Sequence, residues 1–214
     1  MQQYTEDPGM RNSTFTDFAH KPILTGEKAL LRPFTEADAT AIAEVIEDPE
    51  VIRYTFEPSA ELTLERLRAW YGSRSEQADR LDLAVTDRAT GIVVGEVVLH
   101  DWNPANRSCA FRTLIGPRGR GRGLGTEATR LIVGYGFEQV GLHRIELDVY
   151  AHNHRARRVY EKVGFVEEGT RRQAQLRDGA WLDEVVMSIL SHEWDARDNG
   201  SGRAHCASAN GTPD

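Results

Sequence analysis

The chain of 214 residues lacks several features that would direct it to a membrane, an oxidising compartment or a metal. Its two cysteines, Cys109 and Cys206, are too few for a disulfide framework and lack the spacing of metal ligands. No apolar run approaches the length that spans a bilayer. The N-terminus also lacks the basic start and apolar core of a signal peptide. These absences predict a cytoplasmic protein without a membrane anchor or a bound metal.

Basic residues are also in short supply, with 26 Lys and Arg against 33 Asp and Glu and a net charge of −7. This balance argues against a broad surface for nucleic acid. It suits a cationic acceptor such as an amine, and it serves solubility equally well. The hydrophobic share of 40% is ordinary for a globular protein.

No internal repeat or interdomain linker divides the chain, so we expect one domain over residues 27–194. Residues 1–26 have few apolar side chains and predict an N-terminal arm. Residues 195–214 are rich in Gly, Ser, Asn and Asp and predict a disordered tail.

Hydrophobic periodicity and turn residues predict an element order of βααβββαβαββ. This order indicates an α/β protein of the α+β-like kind, with one mixed sheet and helices on its faces. Strands are predicted at about 28–32, 81–86, 92–100, 108–115, 144–150 and 181–190, with a further strand that begins at 165. Helices are predicted at about 36–47, 60–77 and 125–138, with a further helix that begins at 153.

The most informative stretch is Arg118–Gly125, in which three arginines alternate with four glycines before Thr126 begins a helical pattern. Glycine permits positive φ and close approach of a ligand to the main chain. Successive N–H groups and the start of a helix attract anions, and arginine matches phosphate oxygens. The stretch predicts a cradle for a di- or polyphosphate at a strand-to-helix junction.

Three other interpretations of this stretch compete only to the extent that their own sequence patterns are present. A G-x-x-x-x-G-K-[ST] loop is excluded because no lysine stands in position. A dinucleotide site remains an alternative, since residues 123–128 fit G-x-G-x-x-A and Asp148 lies where a ribose carboxylate is expected. Against it, the stretch follows a meander of strands rather than the first strand of a parallel sheet. A flexible surface loop is the third possibility.

Two segments resemble the GNAT superfamily of acyl-CoA-dependent N-acetyltransferases. Arg120–Gly125 matches the pattern [QR]-x-x-G-x-[GA], and Asn153–Phe165 looks like N-x-x-[AS]-x-x-x-Y-E-K-x-G-F. His143–Leu147 and Gly179–Leu190 are similar to the RimJ/RimL-like branch. The resemblance implies a single GNAT-like domain whose mainly antiparallel sheet is splayed at the cofactor site. It also implies acetyl-CoA as co-substrate and direct acetyl transfer to a primary amine.

The resemblance assigns the CoA pyrophosphate to backbone N–H groups of the loop. Arg118 and Arg122 are candidates for further phosphate contacts, or else carry plain solvated charge. The implied pyrophosphate residues are Arg120, Gly121, Arg122, Gly123, Leu124, Gly125 and Thr126.

Four more residues take roles from the same resemblance. Leu114 and Ile115 would pair with the pantetheine arm as with a neighbouring strand. Asn153 would hydrogen-bond the pantetheine, cap its helix, or do both. Tyr160 would be the general acid that protonates the departing thiolate, the alternative being a core aromatic residue.

The general base is harder to assign, because Ala110 stands where many members of the branch have glutamate. Glu96, in the middle of an apolar strand, is the first substitute, and His100 lies on the same strand face. Either would act through water, or is simply a buried or solvated group. Cys109 is a candidate acyl carrier or, more simply, a structural thiol.

The acceptor pocket is expected around Tyr54, Phe56 and Glu57 together with the last hairpin, with Glu57 holding a cationic amine. The RimJ/RimL-like resemblance points to a protein N-terminal amine. A small-molecule amine, such as a polyamine or an aminoglycoside, is the alternative. The missing glutamate leaves open a non-catalytic CoA-binding module, and a monomer or a homodimer is expected.

Overall fold

A computed structural model describes residues 17–55 and 62–198. Within these ranges no helix is long and apolar enough to cross a membrane. The strands are β1 (Leu24–Thr25), β2 (Ala29–Pro33), β3 (Leu81–Asp87), β4 (Val93–Asn103), β5 (Ser108–Ile115), β6 (Arg144–Tyr150), β7 (Val166–Arg177) and β8 (Ala180–Leu190). The helices are α1 (Ala39–Ile46), α2 (Pro49–Tyr54), α3 (Leu64–Gly72), α4 (Leu124–Tyr135), α5 (His154–Val163) and α6 (Ser191–Asp198).

The strands form one sheet in the order β1-β2-β3-β4-β5-β6-β8-β7. Each pair of neighbours is antiparallel except β5 and β6, which are parallel. Helices cover both faces, with α4 and α5 on a core that contains Leu99, Ile132 and Met187. Helices α1 and α3 pack around Ile42 and Tyr71 on the other face. The predicted mixed, mainly antiparallel sheet is therefore confirmed.

The sheet is splayed between its two parallel strands. β5 and β6 pair only from Ser108–Ala110 to Arg144–Glu146 and then separate. Beyond that point Phe111–Ile115 pairs with β4 alone, and Leu147–Tyr150 pairs with β8 alone. The opening that results lies where the sequence resemblance placed the cofactor.

A β-bulge in β4 lies beside this opening. Val85 pairs with Gly95 while Thr86 pairs with Val93, so Val94 is the extra residue. A Cβ atom on Gly95 would lie 2.0 Å from the carbonyl oxygen of Leu114, which explains why glycine occupies this position. Bulges increase the local twist of a strand pair, and here the bulged strand is β4, the antiparallel neighbour of β5.

Part of the predicted N-terminal arm contributes to the core. Phe18 is fully buried, and β1 adds an edge strand to the sheet. The Lys21 ammonium donates to the carbonyls of Phe18, Gln77 and Arg80, at 2.6–2.8 Å. A single buried aromatic in a polar segment has no periodicity, so no sequence pattern predicts this packing.

Several predicted helices have different limits in the structure. The helix predicted at 36–47 begins with a 3-10 turn at Glu36–Asp38, and the one predicted at 60–77 is α3 followed by a 3-10 turn at Ser73–Glu76. Helices α2 and α6 were not predicted, because both are short and α6 is mostly polar. The predicted hairpin turn is confirmed at Asp178 and Gly179, whose φ angles are 48° and 75°.

Candidate active site

A cavity of about 660 Å³ occupies the opening between β5 and β6. We call one wall the loop side, formed by Phe111–Ile115, Gly119–Gly121, Gly123, Gly125 and Thr126. The opposite wall, the hairpin side, is formed by Tyr54, Thr55, Tyr150, Gln175 and Glu184. Helix α5 contributes Tyr160 and its neighbours to the same cavity. The cavity thus joins segments that are far apart in the chain.

Most of the residues that the sequence singled out lie in the wall of this cavity. The exceptions do not line it, and they are Glu96, His100, Cys109, Arg118, Arg122 and Leu124. Phe56 and Glu57 lie outside the described residues. The predicted residues that line the cavity are Tyr54, Leu114, Ile115, Arg120, Gly121, Gly123, Gly125, Thr126, Asn153 and Tyr160.

The glycine-rich loop turns sharply and leads directly into α4. Gly121 and Gly123 have φ angles of 74° and 87°, in the region that favours glycine. Gly123 is the N-cap of α4, so the unpaired N–H groups of the first helical turn lie at the loop side of the cavity. Main-chain donors at the positive end of a helix dipole favour a bound phosphate.

The three loop arginines are each paired with a carboxylate of the protein. Arg118 contacts Glu44 at 2.9 Å, and Arg122 donates to Asp87 at 2.6 Å. The hydrogen bond from Arg122 lowers the pKa of Asp87. These pairs attach the loop to α1 and to the end of β3.

The third loop arginine, Arg120, is the most enclosed, with 15% of its side chain exposed. It donates to Asp48 and Glu50 at the start of α2 and to the carbonyl of Ile115. The hydrogen bond from Arg120 lowers the pKa of Asp48. The Arg120 side chain therefore fixes the shape of the loop, while its main chain remains beside the cavity.

Asn153 caps α5, as one of the two interpretations of this residue predicted. Its side-chain oxygen accepts a hydrogen bond from the N–H of Ala156 at 3.1 Å. Its NH₂ group makes no hydrogen bond within the described residues. Because Asn153 also lines the cavity, that group is available to a ligand.

Tyr160 combines a packed ring with a place in the cavity wall. The ring lies edge-on to Phe111, with centroids 6.1 Å apart, and is tilted against Phe165. The residue is 7% exposed, and burial raises the pKa of its hydroxyl. Within the described part of the chain this hydroxyl has no hydrogen-bond partner. A phenol in this environment stays protonated at neutral pH and can donate a proton or a hydrogen bond.

Glu96 is 1% exposed and both of its oxygens are engaged. Arg112 donates to one oxygen at 2.8 Å, and the hydroxyl of Tyr71 donates to the other at 3.0 Å. Burial, followed by the charge of Glu96, raises the pKa of Tyr71. Arg112 lines the cavity and Glu96 does not. The guanidinium of Arg112 thus lies between the carboxylate and the ligand space.

His100 lies on the same face of β4 as Glu96, because the pairing with β5 is unbroken from one to the other. It is directly opposite Ala110. Its Nδ1 atom is 3.0 Å from Asp101, and burial lowers the pKa of the imidazole. Cys109 is 2% exposed, and burial raises the pKa of its thiol.

The hairpin side contains residues that the sequence did not single out. Arg177, near the hairpin turn, donates to the carbonyls of Ile52 and Thr55 at the end of α2. The Tyr150 ring stacks on His152, which also contacts the ring of Tyr54. No local motif marks the contacts of Arg177 and Tyr54, because they join segments about 100 residues or more apart in the chain.

Within residues 17–55 and 62–198 no group of three or more His, Cys, Asp and Glu residues is placed to hold a metal ion. The residues that line the cavity fit a long acyl-CoA molecule. The loop presents main-chain donors for phosphates, and β5 offers a free edge past Ala110 for an amide-bearing arm. The Tyr160 hydroxyl is available in the cavity wall.

These features define the class of acyl-CoA-dependent transferases. Residues 28–166 match the family described as "Acetyltransferase (GNAT) domain", and the chain belongs to this family. It is therefore an acetyl-CoA-dependent N-acetyltransferase, as the sequence resemblance implied. The dinucleotide interpretation is wrong, because the loop follows β5, an internal strand whose partner β4 is antiparallel.

Two curated proteins and one solved structure are among those similar to this chain. The chain is 28% identical over 173 residues to spermidine N(1)-acetyltransferase of Escherichia coli K12, covering 81% of this chain and 91% of the relative. It is 32% identical over 105 residues to the Bacillus subtilis protein named putative ribosomal N-acetyltransferase YdaF, covering 49% of this chain and 57% of the relative. The structure of Vibrio cholerae spermidine N-acetyltransferase with CoA and spermine superposes with a TM-score of 0.71 at 25% identity, covering 79% and 99% of the two chains.

Proposed function

We propose that this acetyltransferase transfers the acetyl group of acetyl-CoA directly to a primary amine of a small polyamine. The observation that carries the proposal is the single cavity that joins the glycine-rich loop and Tyr160 to the hairpin side. The names of the E. coli and V. cholerae relatives, both spermidine acetyltransferases, support a polyamine acceptor. The V. cholerae structure with CoA and spermine supports the same pair of substrates.

On the loop side, we expect the CoA pyrophosphate on the N–H groups from Arg120 to Thr126. Leu114 and Ile115 lie on the free edge of β5 and would hydrogen-bond the pantetheine arm through their main chain. The NH₂ group of Asn153 would donate to the same arm. A main-chain N–H of β5 would also polarise the thioester carbonyl and stabilise the oxyanion that forms on attack.

Acetyl transfer moves protons both at the nitrogen of the amine and at the sulfur of CoA. The amine must lose a proton before it attacks the thioester carbon, because amines are mostly protonated at neutral pH. When the tetrahedral intermediate collapses, the C–S bond breaks, the newly bonded nitrogen gives up a second proton, and the thiolate of CoA takes one. Tyr160 is the proposed donor of this proton, because burial keeps its hydroxyl protonated.

Glu96 remains our candidate for the base that receives the proton of the amine. It lies behind Arg112, so the proton would reach it through a water molecule rather than directly. The hydrogen bonds from Arg112 and Tyr71 hold its carboxylate in place.

A protein N-terminal amine is the second candidate acceptor, and the similarity to YdaF supports it over about half of the chain. The deciding experiment measures CoA release with acetyl-CoA and three sets of acceptors: polyamines, aminoglycosides and peptides with free N-termini. We expect kcat/KM for spermidine or spermine to exceed that for any peptide by at least about 10-fold.

Turnover of peptides alone would replace the polyamine proposal with the second candidate. Binding of acetyl-CoA without turnover of any amine would indicate a non-catalytic CoA-binding protein. Calorimetry with acetyl-CoA distinguishes that result from a failure of the preparation to bind its donor.

A further inference from the structure

We infer that Glu184 anchors a non-reacting ammonium group of the acceptor and so determines a preference for diamines and polyamines over monoamines. This inference rests on the proposed polyamine acceptor. It concerns the hairpin side of the cavity, to which Glu184 contributes a half-buried carboxylate from β8.

Glu184 differs from the other carboxylates that line the cavity. Glu50 is bound by Arg120 and Arg155, each at 3.1 Å. Asp148 is bound by Arg171 at 2.7 Å. Glu184 has no ion pair or hydrogen bond within the described residues. Its charge is therefore available to a cation that enters the cavity.

The neighbouring strands explain why Glu184 lacks a partner. Arg171 of β7 lies directly opposite Glu184 in the register, but its guanidinium reaches across β8 to Asp148. Tyr150 of β6 lies opposite on the other side. The only basic residue next to Glu184 in the pairing is thus engaged by another carboxylate.

An aromatic ring adds a second attraction for a cation on the hairpin side. Tyr150 lines the cavity and lies opposite Glu184 in the strand pairing, whereas the ring of Tyr54 already has the guanidinium of Arg53 over it, 5.4 Å from the centroid. The face of a tyrosine ring attracts an ammonium group through its quadrupole. A carboxylate beside such a ring suits an alkylammonium group, whose carbon atoms pack against the ring.

The position of Glu184 indicates which nitrogen it holds. Phe111, the first β5 residue past the point of separation, contacts Tyr160. Tyr150, opposite Glu184, lies three residues past Leu147 on β6, which corresponds to about 10 Å along the strand. A carboxylate that bound the reacting nitrogen would also favour its protonated, unreactive form. Glu184 is therefore suited to a second nitrogen, at a separation that an extended polyamine spans.

The test compares Glu184→Gln with the wild type on spermidine and on butylamine, which has a single nitrogen. Gln keeps the size of the side chain and removes its charge. We expect KM for spermidine to rise about 10- to 100-fold, as loss of a charged hydrogen bond implies. We expect kcat with spermidine to change less than about threefold, with butylamine kinetics and KM for acetyl-CoA unchanged.

Glu47→Gln is the matched control, because it removes one negative charge from an exposed residue at the end of α1, outside the cavity. An unchanged KM for spermidine in Glu184→Gln, or an equal loss of activity on butylamine, would overturn the inference.

A second measurement separates this inference from the proposed function. Calorimetric titration of spermidine into the CoA complex gives the affinity without any turnover. Weaker binding by Glu184→Gln than by wild type supports the anchor even if spermidine is not acetylated. Equal binding of spermidine by the two proteins, or no binding of spermidine by the wild type, contradicts the inference.

Discussion

On the loop side of the cavity every loop arginine is neutralised by a carboxylate of the chain, whereas on the hairpin side Glu184 is left without a cation among the described residues. The first arrangement makes a rigid frame in which main-chain N–H groups face the ligand. The second leaves a charged side chain for the ligand itself. The comparison suggests that the donor is recognised by backbone geometry and the acceptor by side-chain charge.

Replacing Tyr160 with Phe tests the acetyl-transfer step, for which the loop side is proposed to bind the donor and the hairpin side the acceptor. Of all the variants it should have the largest effect on kcat. We expect kcat to fall by about 10- to 1000-fold, because the departing thiolate loses its proton donor. The affinity for acetyl-CoA should stay within about twofold. Steady-state kinetics and calorimetry measure the two quantities.

Phe keeps the ring contacts with Phe111 and Phe165, so the melting temperature of this variant should be close to that of the wild type and serves as its control. Wild-type turnover in Tyr160→Phe would remove the acid role and leave Tyr160 as a core aromatic residue.

Glu96→Gln tests the candidate base behind Arg112. We expect kcat to fall by about 10- to 100-fold, because the amide of glutamine cannot accept the proton of the amine. The matched variant is Tyr71→Phe, which removes one hydrogen bond to Glu96 but keeps its carboxylate. If both variants lose stability equally and lower kcat equally, Glu96 is structural and the base lies elsewhere.

Arg120→Met tests whether the loop arginines act as a frame. We expect acetyl-CoA to bind about 10-fold more weakly, because the loop loses its attachment to α2 and Asp48 keeps an uncompensated charge. Breaking this enclosed pair should lower the free energy of unfolding by about 1–3 kcal/mol. Calorimetric titration with acetyl-CoA and chemical denaturation measure the two effects.

Arg118→Met is the control for this frame, because it removes the same charge from the same loop. Both partners of the Arg118–Glu44 pair are more than half exposed, so its loss should cost about 0–1 kcal/mol. Equal weakening of acetyl-CoA binding by the two variants would mean that the arginines act by charge on the phosphates rather than as a frame.

The loop side and the hairpin side of the cavity also differ in how much of each the sequence predicts. The loop and the segment Asn153–Phe165 are continuous, and turn chemistry and helical spacing identify both. The strands of the sheet follow from their periodicity and turn residues. No local sequence pattern marks Glu184 or Arg177. What distinguishes them is their contacts with distant elements, namely β6 and β7 for Glu184 and α2 for Arg177. Whether Arg171 binds Asp148 or Glu184 depends on three-dimensional geometry that a linear pattern does not contain.

Glu96 shows the same limit of prediction from the sequence. The sequence singled it out as a carboxylate within an apolar strand, and the structure confirms that it is buried. The sequence could not show that Arg112 and Tyr71 bind the two carboxylate oxygens of Glu96, because these residues lie on β5 and α3. Phe18 and α6 are further examples, because their contribution depends on packing against distant elements.

Arg177→Met should have the smallest effect, and it bears on the shape of the hairpin side. Arg177 donates to the carbonyls at the end of α2, so it holds α2 against the hairpin and thereby positions Tyr54. Its loss should raise KM for the amine about three- to tenfold through looser packing, with KM for acetyl-CoA unchanged. Arg172→Met, an exposed residue of β7 outside the cavity, controls for charge. If Arg177→Met instead weakens acetyl-CoA binding, the two sides are mechanically coupled and the division between them fails.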